Sequence, residues 1–181
     1  LEPRRKFSIC RNGYWLPPGH TCTDNEVLRK LPLDKCGEQS HQNIKPNSSV
    51  TDVTLEMYPW TAAIGFTNNS SNITDWLCGG SIITDQYVLT SADCIQYMML
   101  GKSKDAVVRL GDLDLDSSVD DGAQPIDVEV EKTIPHQEYD LILRINDIGL
   151  IKLKRKVEFN DFVKPICLPT PEDLQMSSFV N

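Results

Sequence analysis

The sequence has no run of about 18 apolar residues, so it offers no helix that could span a membrane. It also lacks an excess of cations. Its 18 Lys+Arg stand against 26 Asp+Glu, a formal net charge of −8. That balance does not supply the cation density on which non-specific nucleic-acid binding depends. No C-x-x-C pair occurs among the six cysteines, which argues against zinc and thiol-redox spacing. No internal repeat or low-complexity tract is present, and almost no segment carries a helical period. The chain begins at Leu1 with neither Met nor an apolar leader, so any signal peptide is expected to have been removed already. Hydrophobic residues make up 40% and charged residues 24%, which fits a folded chain rather than a disordered one.

What is present points to an oxidising compartment. Cys10, Cys22, Cys36, Cys78, Cys94 and Cys167 are even in number and widely spaced, as in a disulfide framework. Sequence alone does not choose among their pairings. N-x-S/T sequons begin at Asn47, Asn68, Asn69 and Asn72, and the last three crowd one polar stretch that reads as an exposed loop. Cysteines and sequons together imply a secreted, extracellular protein carrying glycans.

Residues 1–35 are rich in turn formers and read as an irregular prefix. Residues 36–55 are polar, without periodicity, and read as a linker. From there apolar segments follow one another: Trp60 to Phe66, Trp76 to Ile83, Gln86 to Thr90, Ala106 to Leu110, Ile126 to Ile134 and Ile148 to Leu153. Ile126, Val128 and Val130 alternate with Glu129 and Glu131, the period of a half-buried strand. Thr84-Asp85 is a short polar turn, so the strands on either side of it form a hairpin. Gly79 and Gly80 inside a strand suggest a bend or another backbone close by. Only residues 92–99 suit a short helix. The class is all-β, an antiparallel sandwich or barrel.

The stretch Leu77-Cys78-Gly79-Gly80-Ser81-Ile82-Ile83, followed by Val88-Leu89-Thr90-Ser91-Ala92-Asp93-Cys94, resembles the trypsin-like serine proteases. Val108-Arg109-Leu110-Gly111, Asn146-Asp147-Ile148-Gly149-Leu150 and Val163-Lys164-Pro165-Ile166-Cys167 agree in order, and Tyr58-Pro59-Trp60 matches the start of the first strand. The resemblance covers residues 56–170 and implies the N-terminal six-stranded Greek-key barrel of that fold. Residues 171–181 would then begin the connection to a second barrel. Leu31-Pro32 and Cys36-Gly37 look like the light-chain junction of arthropod clip-domain proteases and their inactive homologues. Cys10 and Cys22 are too few for a complete clip domain. The resemblance also implies the bridges Cys78–Cys94, Cys36–Cys167 and Cys10–Cys22.

Catalysis in such proteins needs a hydroxyl nucleophile, an imidazole base and an acid that orients the base. The base belongs just before the cysteine of the A-A-H-C motif, where this sequence has Asp93. A free carboxylate, with a pKa of about 3.9 against about 6.5 for imidazole, is a poor base for a serine hydroxyl. The acid is retained at Asp147, read as a buried carboxylate held by backbone donors. Two like charges, Asp93 and Asp147, would then share the old cleft. His20, His41 and His136 are given no catalytic role. The G-D-S-G-G nucleophile segment is absent from these residues. At the activation site, Asn43-Ile44-Lys45-Pro46-Asn47 replaces the usual arginine and paired glycines, and Pro46 stiffens the chain where glycine freedom would be needed.

Asp112, Asp114, Asp116, Asp120 and Asp121 form an acidic run. Its D-x-D-x-D start resembles a calcium loop, with Asp112, Asp114 and Asp116 as the weak candidates, but Ser117 and Ala123 replace the Gly and Glu that such a loop requires. It reads as a solvated loop, and neither metal nor cofactor is expected. The resemblance implies a secreted pseudoprotease that regulates an extracellular cascade, such as melanisation or immunity, or serves in venom. Its expected partner is a protease, zymogen or cascade effector. The alternative is part of an active trypsin-like endopeptidase whose C-terminal barrel lies outside this sequence. A barrel without its neighbour exposes apolar surface, so a partner or a further half is expected.

Overall fold

One-sided alternation along a strand demands that its apolar face be covered, and the strands here cover it by closing around a core. The structure is a computed structural model. It describes residues 35–39, 54–68, 73–99, 105–116, 118 and 122–169, and the backbone alone of 10–11, 14–15 and 20–21. The chain divides into two units, Leu1–Leu31 and Pro32–Asn181. In the first, β1 (Cys10–Arg11), β2 (Tyr14–Trp15) and β3 (His20–Thr21) pair antiparallel in that order. Cys22 and with it the Cys10–Cys22 bridge, His41, the activation-site segment 43–47, and residues 171–181 lie outside the described residues.

The second unit is built on β4 (Thr61–Asn68), β5 (Ile73–Ile82), β6 (Tyr87–Thr90), β7 (Asp105–Leu110), β8 (Ile126–Pro135) and β9 (Gly149–Leu153). A single described α-helix, α1 (Ala92–Met99), lies between β6 and β7. The strands close into an antiparallel barrel in the order β4-β5-β6-β9-β8-β7. Two three-stranded meanders are therefore joined by pairing β7 back onto β4 and β9 onto β6, the Greek-key closure. Closure leaves each of the six strands with two partners and removes the open edges that invite aggregation. No helix among the described residues is long and apolar enough to cross a membrane.

The inner wall follows the alternation. Ile64, Val108, Leu110, Ile151 and Leu153 are fully buried, and Val128 is nearly so, while Glu129 and Glu131 face solvent. The hairpin pairs Ser81 with Leu89 and Ile82 with Val88. Thr84, in its polar turn, is fully buried. It can be, because its hydroxyl accepts the amides of Gln86 (3.1 Å) and Tyr87 (3.0 Å), so no polar atom is left without a partner.

Gly80 shows why a glycine pair sits in β5. A Cβ there would lie 2.7 Å from the Leu89 carbonyl oxygen and 2.8 Å from Val88 Cγ1, whereas one at Gly79 would meet only the Ala62 oxygen at 3.9 Å. Backbone oxygen cannot swing aside as a side chain can. Gly80→Ala should therefore cost about 1–3 kcal/mol by forcing β5 and β6 apart, and Gly79→Ala should cost little. Urea midpoints of the two variants check this, and equal midpoints would refute it.

The start of the second unit is fastened to its end. Cys36 and Cys167 form a disulfide across 131 residues. The Gly37 amide donates to the Pro165 carbonyl (2.8 Å), and Gln39 Nε2 donates to the Met57 carbonyl (2.7 Å). Further on, the Ile166 amide donates to the Ile82 carbonyl (2.9 Å), which carries the fastening onto the barrel wall.

Candidate functional site

At the rim of the barrel, α1 starts where β6 ends. The Ser91 hydroxyl caps it by accepting the Cys94 amide at 3.2 Å. Ala92 and Ile95 are fully buried, which turns the Asp93 side chain outward in the first turn. A carboxylate there suits the positive end of the helix dipole. Cys94 is joined to Cys78 of β5, so the turn carrying Asp93 is anchored to the wall.

Asp147 stands just before β9, after Asn146 at φ 56°. Its Oδ1 accepts the backbone amide of Asp93 at 2.8 Å, which satisfies one of the free donors at the start of α1. The fold thus brings together two acids 54 residues apart. Within these residues Asp147 is exposed, on the turn that leads into β9.

The pair of carboxylates does not stand alone. The Tyr139 hydroxyl donates to Asp93 Oδ1 at 3.0 Å, and the Arg144 guanidinium forms an ion pair with Asp93 Oδ2. Both oxygens of Asp93 are therefore engaged by residues of the segment between β8 and β9. Neither Tyr139 nor Arg144 was legible as a site residue in the sequence. They reach Asp93 from 46 and 51 residues away, and no local pattern marks such a contact.

Partial burial, together with the hydrogen bond and charge of Asp93 and the charge of Asp147, pushes the Tyr139 phenol above its ordinary value of 10.0. The neutral phenol is the form the folded state favours. Its contribution to stability is fully present below the ordinary value and is lost as pH rises through the raised one. Tyr139 ring chemical shifts followed against pH should put its titration above 10.0, and Asp93→Asn should bring it down. A titration indifferent to Asp93 would contradict this arrangement.

His136 serves its own turn, with Nδ1 accepting the Glu138 amide at 3.1 Å. His20 lies on β3. In the acidic run, the described carboxylates are engaged by neighbouring groups. Asp112 is spent on Arg109, at 3.3 Å. Asp114 Oδ1 accepts the Asp116 amide (3.0 Å), and Asp116 Oδ1 accepts the amide (2.9 Å) and hydroxyl (2.8 Å) of Ser118. The Ser118 amide, and then its hydroxyl, hold the Asp116 carboxyl below its usual value. Among the described residues no group of three His, Cys, Asp or Glu converges to hold a metal. Asp120 and Asp121, like Asn47, Asn69 and Asn72, lie outside the described residues. Asn68 ends β4, paired with Ile73.

Chemically, the site offers two carboxylates, a phenol and a guanidinium. Among the described residues it offers no imidazole at the helix start to take and return a proton near neutral pH.

A family model described as Trypsin matches residues 48–180. Phenoloxidase-activating factor 1 of Holotrichia diomphalia is 37% identical over 89% of this chain and 46% of its own length. Serine protease ea of Drosophila melanogaster is 34% identical over 90% of this chain and 43% of its own. Among solved structures, the crystal structure of the Drosophila Grass clip serine protease of the Toll pathway superposes with a TM-score of 0.65 at 27% identity, covering 84% of this chain and 44% of that one. The chain thus spans less than half the length of these relatives.

Proposed function

Because this chain belongs to the trypsin family of serine proteases, we propose that it is a catalytically inactive member that regulates an extracellular proteolytic cascade by binding a protease, zymogen or effector. The observation that carries the reading is Asp93. It occupies the base position of the motif, and its carboxylate is held by Arg144 and Tyr139. Each of its two oxygens already accepts one donor, and a carboxylate is a weaker base toward a serine hydroxyl than the imidazole that the motif calls for. Relatives named for phenoloxidase activation and for venom proteases support a cascade setting such as melanisation, immunity or venom. Secretion, glycans on some of Asn47, Asn68, Asn69 and Asn72, and a third bridge between Cys10 and Cys22 belong to the same proposal. So does the division into a prefix (1–35), a linker (36–55), a barrel (56–170) and an inter-barrel connection (171–181).

The test is a serine-reactive phosphonate applied to the full-length protein, beside affinity purification from its native fluid. No labelling, with a cascade protease retained, supports the proposal. Labelling of any residue of this chain counts against it. The second reading is an active endopeptidase of which this is one part. It is favoured by Asp147, which stands against the start of α1 where an orienting acid would be needed. Phosphonate labelling together with peptide hydrolysis by the full-length protein would establish it.

A further inference from the structure

We propose that the Arg144–Ile145 peptide bond is a processing site for an arginine-specific protease, kept latched by the Arg144–Asp93 ion pair. The inference holds whether or not Asp93 ends catalysis, since it concerns this chain as a substrate.

Four successive side chains lead up to the bond, and all are presented to solvent. Leu141 is 53% exposed, Ile142 90% and Leu143 67%, and the Arg144 side chain is 63% exposed. A protease cleft must grip such a run in extended form on the amino side of the scissile bond. Burying three apolar side chains in a cleft is itself favourable.

The loop can open without tearing the barrel. The backbone hydrogen bonds of residues 140–145 close on the loop itself. The Asp140 amide donates to the Ile145 carbonyl (3.1 Å), while Asp140 Oδ1 accepts the amides of Ile142 (2.8 Å) and Leu143 (2.9 Å). Lys154 and Lys156, which are also exposed, sit differently. The Lys154 amide donates to the Glu129 carbonyl (2.9 Å) and the Val157 amide, just past Lys156, to the Asp85 carbonyl (2.8 Å), so cutting there means lifting backbone from another segment. Local opening is the step that makes a folded chain cleavable, and loops bonded only to themselves open most readily. Arg144 and Asn146 hold positive φ, 52° and 56°, and extension releases that strain.

Asp93 is the latch. While its carboxylate holds the guanidinium, the arginine cannot enter a protease's specificity pocket. Hydrolysis would add one water across the C–N bond, leaving a carboxylate on Arg144 and an ammonium on Ile145. The cut falls inside the loop closed by Cys36–Cys167, so the two pieces stay covalently joined. Processing would free the apolar arm and release Asp93 while leaving the mass of the oxidised molecule almost unchanged.

Limited digestion of the native full-length protein with trypsin tests this, with termini identified by mass spectrometry. An early peptide ending at Arg144, visible as separate fragments only after reduction, is the expected result. Arg144→Gln should abolish that cut alone. Asp93→Asn should speed it about two- to five-fold relative to cuts elsewhere, the range expected from losing an exposed ion pair. Absence of an Arg144 terminus until the barrel melts would overturn the proposal, and so would an unchanged rate in a folded Asp93→Asn variant. The wild-type result stands even if a variant fails to fold.

Discussion

Full-length protein assayed on an arginyl peptide ester is expected to turn over about 10⁴- to 10⁶-fold more slowly than an active relative, the range for losing the base of such a site. The argument is one of proton affinity and geometry. An ordinary carboxyl binds its proton about 2.6 pH units more weakly than imidazole. It therefore gives little drive for taking a proton from a hydroxyl. Its side chain is also shorter. In this fold it is bonded to the Tyr139 hydroxyl and paired with Arg144. Asp93→His restores an imaginable base beside Asp147 but also strips Arg144 and Tyr139 of their acceptor, so any recovery of turnover should be partial. Steady-state turnover of the wild type near that of an active relative would end the pseudoprotease reading, provided the activity follows this protein through purification.

Replacing Cys36 and Cys167 together by alanine should cost about 2–5 kcal/mol of stability. Their bridge closes 131 residues, against 16 for Cys78–Cys94, so it removes more freedom from the unfolded chain. In a domain of this size that loss should lower the melting temperature by about 5–15 °C. Two hydrogen bonds hold the same segment, from Gly37 to Pro165 and from Gln39 to Met57, and each exchanges with water too readily to substitute for a covalent tie. Removing Cys78 and Cys94 instead should cost less, because the shorter loop had less freedom to lose. Thermal melts of the two double variants, side by side, check both size and order. A midpoint unmoved by loss of the long bridge would show that these contacts alone secure the strand-to-tail fastening.

The barrel was legible because its causes are local. Ile126, Val128 and Val130 alternate with acids, and β8 forms over Ile126–Pro135 with Val128 inward. The short helix expected over residues 92–99 is α1. Gly79-Gly80 signalled a close backbone, and the structure assigns that approach to Gly80 and the Leu89 oxygen. Thr84 shows the limit of such reading. Thr84-Asp85 was legible as a polar turn, but not that the Thr84 hydroxyl would satisfy two amides and let the residue be buried.

Residue identity by itself determined the strand period, the aspartate that precedes Cys94 and the order of motifs, because each is written in neighbouring residues or a short pattern. Tertiary structure alone decided what that acid does. Arg144 and Tyr139 meet Asp93 only after the barrel has closed and set the segment between β8 and β9 against the start of α1. Contacts between distant segments depend on strand register and turn geometry summed over the whole wall, and no window of sequence contains that sum.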